Sequence, residues 1–220
     1  MERKGYTMES AVRLMDLTKS FGEETVLKGI THHFERGQIH GIMGFNGSGK
    51  TVMFKCICGF LKPDGGAVWV DKKQIGKDAD FPESVGMIIE SPGFLPGLSG
   101  FANLKRLAAL KRLITDEEVR GAIRTVGLDP DSKKKVGQYS LGMRERLGIA
   151  QAIMENPDLL ILDEPFNGLD KRGAEEVCVL LDEIRGRGKT ILIAAHNMLE
   201  IERLCDTVCE MDAGRLTQVR

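Results

Sequence analysis

Short apolar runs that end in polar or glycine-rich turns recur along the chain and predict an open α/β sheet. The run Leu159-Leu160-Ile161-Leu162 is wholly aliphatic, which is typical of a strand buried on both faces of a parallel sheet. The first two strands are joined by the turn at 21–24, so the chain should enter its core through a β-rich segment. We predict strands at 12–17, 26–34, 38–43, 67–70, 84–89, 159–162, 190–194 and 208–211.

Helical periodicity appears between these strands, and it is densest in the middle of the chain. We predict helices at 51–58, 101–114, 117–126, 141–155 and 171–185, with Asp116 as the N-cap of the third. Because a turn-rich stretch at 92–97 precedes the central helices, we expect a helical subdomain inserted into the α/β core. The chain then forms one domain, with the core at 1–90 and 156–220 and the helical subdomain at about 91–155.

A glycine-rich loop follows the strand at 38–43 and opens onto a predicted helix. Residues 44–51 read Gly-Phe-Asn-Gly-Ser-Gly-Lys-Thr and fit the phosphate-binding pattern GxxxxGK[ST]. Glycines let backbone N–H groups curl around phosphates, and the helix N-terminus favours anions. Lys50 should reach the β- and γ-phosphates, and the Thr51 hydroxyl should ligate Mg²⁺. The nucleotide-binding residues expected here are Gly44, Asn46, Gly47, Ser48, Gly49, Lys50 and Thr51.

Two acids, Asp163 and Glu164, stand at the end of the aliphatic strand. An ordinary glycine-rich turn is the alternative explanation of the loop, but nothing structural requires two carboxylates at a buried strand's tip. Because open α/β sheets place ligands at the carboxyl ends of their strands, both acids should face the phosphate loop. We expect Asp163 to bind Mg²⁺, usually through water, and Glu164 to act as the base that polarises the attacking water.

Composition narrows the class of protein. The 220 residues carry a formal net charge of −1, so no basic surface of the kind that binds nucleic acid is expected. The lysines at 133–135 are expected to be a solvated loop. No window approaches the roughly 18 to 20 apolar residues that cross a bilayer, and the first residues lack the apolar core of a signal peptide. We therefore expect a cytoplasmic protein, with reduced and buried thiols at Cys56, Cys58, Cys178, Cys205 and Cys209.

Three further segments follow in a fixed order: Tyr139-Ser140-Leu141-Gly142-Met143, then Gly168-Leu169-Asp170, and His196 after an apolar strand. Together with the phosphate loop and the acidic strand, they make the chain resemble the ABC ATPase family from Phe21 to about Asp212. The resemblance implies a P-loop NTPase core, an N-terminal antiparallel β-subdomain and an inserted α-helical subdomain. It also implies that ATP and Mg²⁺ are the cofactors.

The resemblance also assigns roles to residues that periodicity does not reveal. Phe21 takes the place of the family's adenine-stacking aromatic, although a core phenylalanine is the alternative. Ser140 and Gly142 would contact the γ-phosphate bound to a second copy of the chain, because the family works as a head-to-tail dimer. Asp170 would lie at the shared interface. His196 would contact the γ-phosphate and hold the attacking water, the alternative being a hydrogen-bonded core histidine.

Two departures from the family pattern matter. The family's signature is Leu-Ser-Gly-Gly-Gln, of which only Ser140 and Gly142 remain here. Glu90 stands where the family usually carries a glutamine that reaches Mg²⁺ and links the site to the membrane partner. A carboxylate there adds negative charge beside the phosphates, unless Glu90 points into solvent. The segment at 88–94 and the altered signature resemble the branch that serves bacitracin and lantibiotic export and self-immunity.

The expected function is therefore that of an ATP-hydrolysing subunit that powers export of a peptide antibiotic or similar amphiphile through separate membrane subunits. The expected partners are ATP, a second copy of the chain and integral membrane subunits, which would hold it at the inner face of the membrane. The stretch 92–98 is suited to receive a partner helix, or else it is an internal packing loop. The alternatives are a soluble ABC ATPase that acts on ribosomes or nucleic acid, and a regulator that binds ATP without hydrolysing it.

Overall fold

The computed structural model describes residues 10–196 and 198–220, without the side chains of 198–200. Its strands are β1 (Ser10–Phe21), β2 (Glu24–Glu35), β3 (Ile39–Met43), β4 (Gly65–Val70), β5 (Lys73–Gln74), β6 (Val85–Ile88), β7 (Leu159–Asp163), β8 (Thr190–Ala195), β9 (Thr207–Asp212) and β10 (Arg215–Gln218). Its α-helices are α1 (Lys50–Ile57), α2 (Gly100–Lys111), α3 (Asp116–Thr125), α4 (Leu141–Ile153), α5 (Lys171–Gly186) and α6 (Met198–Leu204). None of these helices is long and apolar enough to span a bilayer.

A six-stranded sheet, in the order β10-β9-β3-β8-β7-β6, forms the centre of the fold. Its neighbouring strands are parallel, except for the antiparallel hairpin of β9 and β10. Every residue of β7 is buried, as the aliphatic run predicted. Alternate residues of β7 join different cores: Leu160 and Leu162 pack toward α4 and α5, whereas Leu159 and Ile161 pack toward α1. The parallel sheet therefore has apolar layers on both faces.

The second sheet is antiparallel, in the order β2-β1-β4-β5. Buried residues of its long strands, among them Leu14 and Phe34, share a core with Phe54 and Ile57 of α1 and with one face of the parallel sheet. Helix α1 is thus packed between the two sheets. This packing fixes the direction in which the N-terminal end of α1 points, and it confirms the predicted P-loop core with an antiparallel β-subdomain.

Helices α2, α3 and α4 lie between β6 and β7 in the chain and correspond to the predicted inserted helices. The prediction that Asp116 is the N-cap of α3 is wrong, because Asp116 is the first residue of the helix. Thr115 is the cap: its hydroxyl accepts from Glu118 N, and the Glu118 carboxylate accepts from Thr115 N at 2.7 Å. This reciprocal pair satisfies two free helix-end donors, whereas a cap at Asp116 would satisfy one.

Several boundaries differ from the sequence predictions. Helix α2 ends at Lys111, because Arg112 has a left-handed backbone with φ of 56°. Helix α4 ends at Ile153, short of residue 155. The short strands β5 and β10 and the helix α6 were not predicted. The thiols of Cys56, Cys58, Cys205 and Cys209 are free and buried, as expected, and only that of Cys178 is partly exposed.

Candidate functional site

Three neighbouring strands of the parallel sheet end level with one another, and this alignment assembles the site. In the β3–β8 pair Met43 lies opposite Ala195, and in the β7–β8 pair Asp163 lies opposite Ala194. The residues that follow these strands are Gly44, His196 and Glu164. The sheet register therefore brings the phosphate loop, the acidic pair and the histidine to one edge, as the sequence predicted.

The phosphate loop approaches the rest of the protein so closely that only glycine fits at its start. A Cβ on Gly44 would lie 2.3 Å from the carbonyl oxygen of Met211. At the other end Gly49 has φ of 114°, a conformation that side chains oppose, and it precedes the first turn of α1. The N-terminus of α1 is thereby aimed into the concave side of the loop, as anion binding requires.

Two polar groups of this loop are poorly satisfied by the protein itself. Lys50 is buried, and its Nζ donates to the carbonyl oxygens of Gly44 at 2.6 Å and Phe45 at 3.2 Å. The buried hydroxyl of Ser48 has no hydrogen-bond partner within the described residues. A buried ammonium and a buried hydroxyl donor without a full set of partners fit an anionic ligand with several oxygen acceptors.

Thr51 and Asp163 meet across the site. The Thr51 hydroxyl donates to Asp163 Oδ2 at 2.5 Å. Burial raises the pKa of Asp163, and the charges of Glu164 and Glu90 raise it further, whereas the Thr51 hydrogen bond and the charge of Lys50 lower it. A second cation would favour the ionised form in the same way as Lys50. A hydroxyl and a carboxylate side by side are oxygen donors of the kind that Mg²⁺ accepts.

Glu164 is held on one side and free on the other. His196 Nδ1 lies 2.7 Å from Glu164 Oε2, and because an ionised carboxylate only accepts hydrogen bonds, Nδ1 carries the hydrogen. The other oxygen, Oε1, is buried, lies 3.9 Å from Lys50 Nζ and accepts no hydrogen bond within the described residues. An oriented carboxylate with one unpartnered oxygen is the arrangement that accepting a proton from water requires.

An open cavity of about 640 Å³ lies in front of these groups. Its rim includes Phe21, whose ring is half exposed and therefore is not a core side chain. Among the described residues, five carboxylates and one lysine, Lys50, line the cavity; the acidic residues are Glu24, Glu90, Glu145, Asp163 and Glu164. Phosphates alone would meet strong repulsion here, so the charge of the cavity favours a nucleotide that is accompanied by a divalent cation.

Sequence reasoning missed Glu145, which lines this cavity from α4. Its carboxylate is buried, its pKa is raised by that burial, and it makes no hydrogen bond or ion pair among the described residues. The only sequence signal was its place five residues after Ser140, two residues beyond the segment that resembles the signature. Its neighbours Arg144 and Arg146 make the segment look like a solvated helix face.

Glu90 follows β6 in a left-handed backbone conformation, with φ of 61°. Glu90 was expected either beside the phosphates or pointing into solvent. It does both in part, because it lines the cavity and its side chain is 63% exposed to solvent. Its Oε1 accepts a hydrogen bond from Lys55 Nζ at 2.6 Å. Glu90 therefore lies at the rim of the cavity, tethered to the helix that carries Lys50 and Thr51.

The remaining predicted residues, Ser140, Gly142 and Asp170, do not line the cavity of their own chain. Ser140 is exposed and caps α4 by accepting from Met143 N at 3.2 Å. Asp170 caps α5 by accepting from Gly173 N at 2.8 Å. Gly142 packs on the loop before α5, since a Cβ there would lie 2.8 Å from the carbonyl oxygen of Gly168. A role for these residues at a nucleotide stays a prediction that requires a second copy of the chain.

Comparison with known proteins gives a consistent result. A family model described as ABC transporter matches residues 27–167. The chain is 42% identical over 205 residues to the uncharacterized ABC transporter ATP-binding protein YybJ of Bacillus subtilis, covering 93% of this chain and 94% of YybJ. It is 40% identical to the bacitracin transport ATP-binding protein BcrA of Enterococcus faecalis, covering 96% of this chain and 69% of BcrA. It is 31% identical to the lantibiotic transport ATP-binding protein SrtF of Streptococcus pyogenes, covering 93% of this chain and 88% of SrtF.

Solved structures match the fold over nearly the whole chain. An ATP binding subunit of an ABC transporter superposes with a TM-score of 0.84 at 26% identity, covering 96% of this chain and 90% of that one. The dimeric ABC transporter cassette MJ0796 superposes with a TM-score of 0.85 at 23% identity, covering 95% of this chain and 99% of that one. At that identity the second match supports the fold alone.

Proposed function

The chain belongs to the ABC transporter family of ATP-binding proteins, and on this premise we propose that it is the ATP-hydrolysing subunit of an exporter. The observation that carries the proposal is the meeting of Lys50, the Thr51–Asp163 pair and the Glu164–His196 pair at one edge of the sheet. Phosphate binding, metal binding and a positioned base then lie together, as ATP hydrolysis requires.

In the proposed mechanism the ATP phosphates lie on the loop at 44–49, with Lys50 released from the loop carbonyls to the β- and γ-phosphates. Thr51, Asp163 and Glu90 would hold Mg²⁺, which supplies the positive charge that the acidic cavity lacks. Phe21 stacks on the adenine. Glu164 takes the proton of the attacking water on its free Oε1. His196 keeps the base oriented through Oε2 and contacts the γ-phosphate.

A second copy of the chain completes each site in this proposal. Ser140 and Gly142 lie at the exposed N-terminus of α4, where free N–H groups favour an anion. They would contact the γ-phosphate held by the other copy, and Asp170 would lie beside them at the interface. ATP then closes a head-to-tail dimer, and hydrolysis reopens it.

The proposed work of this cycle is export of a peptide antibiotic or a similar amphiphile. Support comes from BcrA and SrtF, whose names specify bacitracin and lantibiotic transport. Closure would be passed to separate membrane subunits near residues 90–104, which would hold the chain at the inner face of the membrane. Action on ribosomes or nucleic acid is not favoured, because the chain has a net charge of −1 and no strongly basic insertion.

The substitution Glu164→Gln tests the proposal, because it keeps the shape of the side chain and removes the base. We expect the variant to bind Mg–ATP, to lose turnover by about 10²-fold or more, and to accumulate as an ATP-bound dimer in light scattering. Glu175→Gln is the matched control, since Glu175 lies exposed on α5 away from the cavity. Unchanged turnover in Glu164→Gln would overturn the assignment of the base.

A further inference from the structure

Lys55 lies near the end of α1, the helix that begins with Lys50 and Thr51. From there its ammonium reaches across to β6 and donates to Glu90 Oε1 at 2.6 Å. Lys55 is half-buried, whereas Glu90 is mostly exposed. Lys55 on the packed helix is therefore the fixed partner, and the Glu90 side chain is positioned by its contact with Lys55. Because Glu90 also has an unfavourable left-handed backbone, its position depends on the contacts that hold it.

The pair matters because of the charge in front of it. In the part of the chain that the structure describes, five carboxylates and one lysine line the cavity, and Lys55 neutralises one of those carboxylates from outside the cavity. The charge of Glu90 is felt at Asp163, whose pKa is raised mainly by burial and additionally by Glu164 and Glu90. A change in the position or in the neutralisation of the Glu90 carboxylate therefore alters the electrostatic potential at Asp163, the carboxylate proposed to bind the metal.

We propose that Lys55 is a positioning residue that holds Glu90 at the cavity rim and offsets its charge, thereby setting how strongly nucleotide binding depends on Mg²⁺. This inference rests on the proposed function. Without Lys55, an unneutralised Glu90 repels the phosphates of metal-free ATP. The same carboxylate is then free to approach the metal, so Mg²⁺ is bound more tightly.

Equilibrium binding of a fluorescent ATP analogue, with EDTA and across a Mg²⁺ titration, tests the inference without measuring turnover. The variants are Lys55→Gln, Glu90→Gln and the two combined. We expect Lys55→Gln to weaken metal-free binding by about two- to five-fold, the range of a partly exposed ion pair, and to lower the Mg²⁺ concentration at half-maximal binding. In the Glu90→Gln background the same change at Lys55 should have neither effect.

Lys111→Gln is the matched control, since Lys111 pairs with Glu155 at 2.9 Å away from the cavity. An effect of Lys55→Gln that is equal in both backgrounds would overturn the inference, because Lys55 would then act without Glu90. If the native chain binds nucleotide and Lys55→Gln changes neither metal-free binding nor the Mg²⁺ dependence, the inference is also overturned. Failure of the native chain to bind Mg–ATP would instead contradict the proposed function on which the inference rests.

Discussion

Replacing Thr51 with valine removes one hydroxyl from the centre of the site at nearly constant volume. In the native protein that hydroxyl donates to the buried carboxylate of Asp163 at 2.5 Å. A hydrogen bond to a charged group contributes about 1.5–3 kcal/mol, and here the partner is left buried. We therefore expect Thr51→Val to lower the free energy of unfolding at neutral pH by about 2 kcal/mol, or about 4–8 °C in Tm for a chain of this size.

The loss of folding stability caused by Thr51→Val should increase as the pH rises. Burial raises the folded-state pKa of Asp163, so ionising it costs folding free energy, and stability falls as the pH rises from the unfolded to the folded pKa. The Thr51 hydrogen bond lowers this pKa and offsets part of that cost. Without it the pKa rises further, so the destabilisation by Thr51→Val is small where Asp163 is protonated in the folded state of both proteins, and it grows as the pH rises and folded Asp163 ionises.

Urea unfolding in EDTA, at about pH 4 and about pH 7.5, measures this difference. Thr51→Ser is the control, because it keeps the hydroxyl and should retain most of the stability at both pH values. A loss of equal size at both pH values would refute the reasoning, since it would then come from packing and not from the carboxylate. An unchanged stability at neutral pH would show that the hydrogen bond contributes nothing.

The remaining predictions concern the rest of the site and its framework. His196→Ala should reduce turnover in a steady-state ATPase assay by about 10²-fold while ATP binding persists, because Glu164 loses its orienting partner; a wild-type rate would contradict the role. Ser140→Asp should keep the cap of α4, and hence the Tm, but place a carboxylate where the second copy's γ-phosphate is expected, so light scattering should show no ATP-driven dimer. An ATP-driven dimer of native affinity would exclude that contact. Gly86→Ala would put a Cβ 1.8 Å from the carbonyl oxygen of Ala152, and we expect a loss above about 3 kcal/mol in urea unfolding, or an insoluble product.

Sequence reasoning was most successful where a single physical rule determines the outcome. A wholly aliphatic run predicted the buried strand β7, and the rule that ligands lie at strand carboxyl ends predicted that Asp163 and Glu164 face the phosphate loop. Both are confirmed. The capping box of α3 was also readable, since Thr115 and Glu118 have the required spacing, but Asp116 offered a competing oxygen at the neighbouring position.

Other features depend on packing that no local pattern encodes. Lys55 and Glu90 are 35 residues apart and meet only because α1 lies beside the end of β6. Glu145 is buried because α4 turns that face toward the cavity, although charged neighbours make the segment look solvent-facing. Among the described strands, β10 pairs only with β9, and its polar residues show little of the apolar pattern that indicates a central strand.

The central claim is a nucleotide site shared by two copies of the chain, and a complementation assay tests it most directly. Lys50→Ala disables the phosphate loop and Ser140→Asp disables the contributed helix end, so each variant alone should be inactive with Mg–ATP. In a mixed dimer one site receives both defects and the other receives neither. Mixing the variants in equal amounts should therefore restore part of the native turnover, because each mixed dimer carries one intact site. A mixture that is no more active than either variant would contradict the shared site.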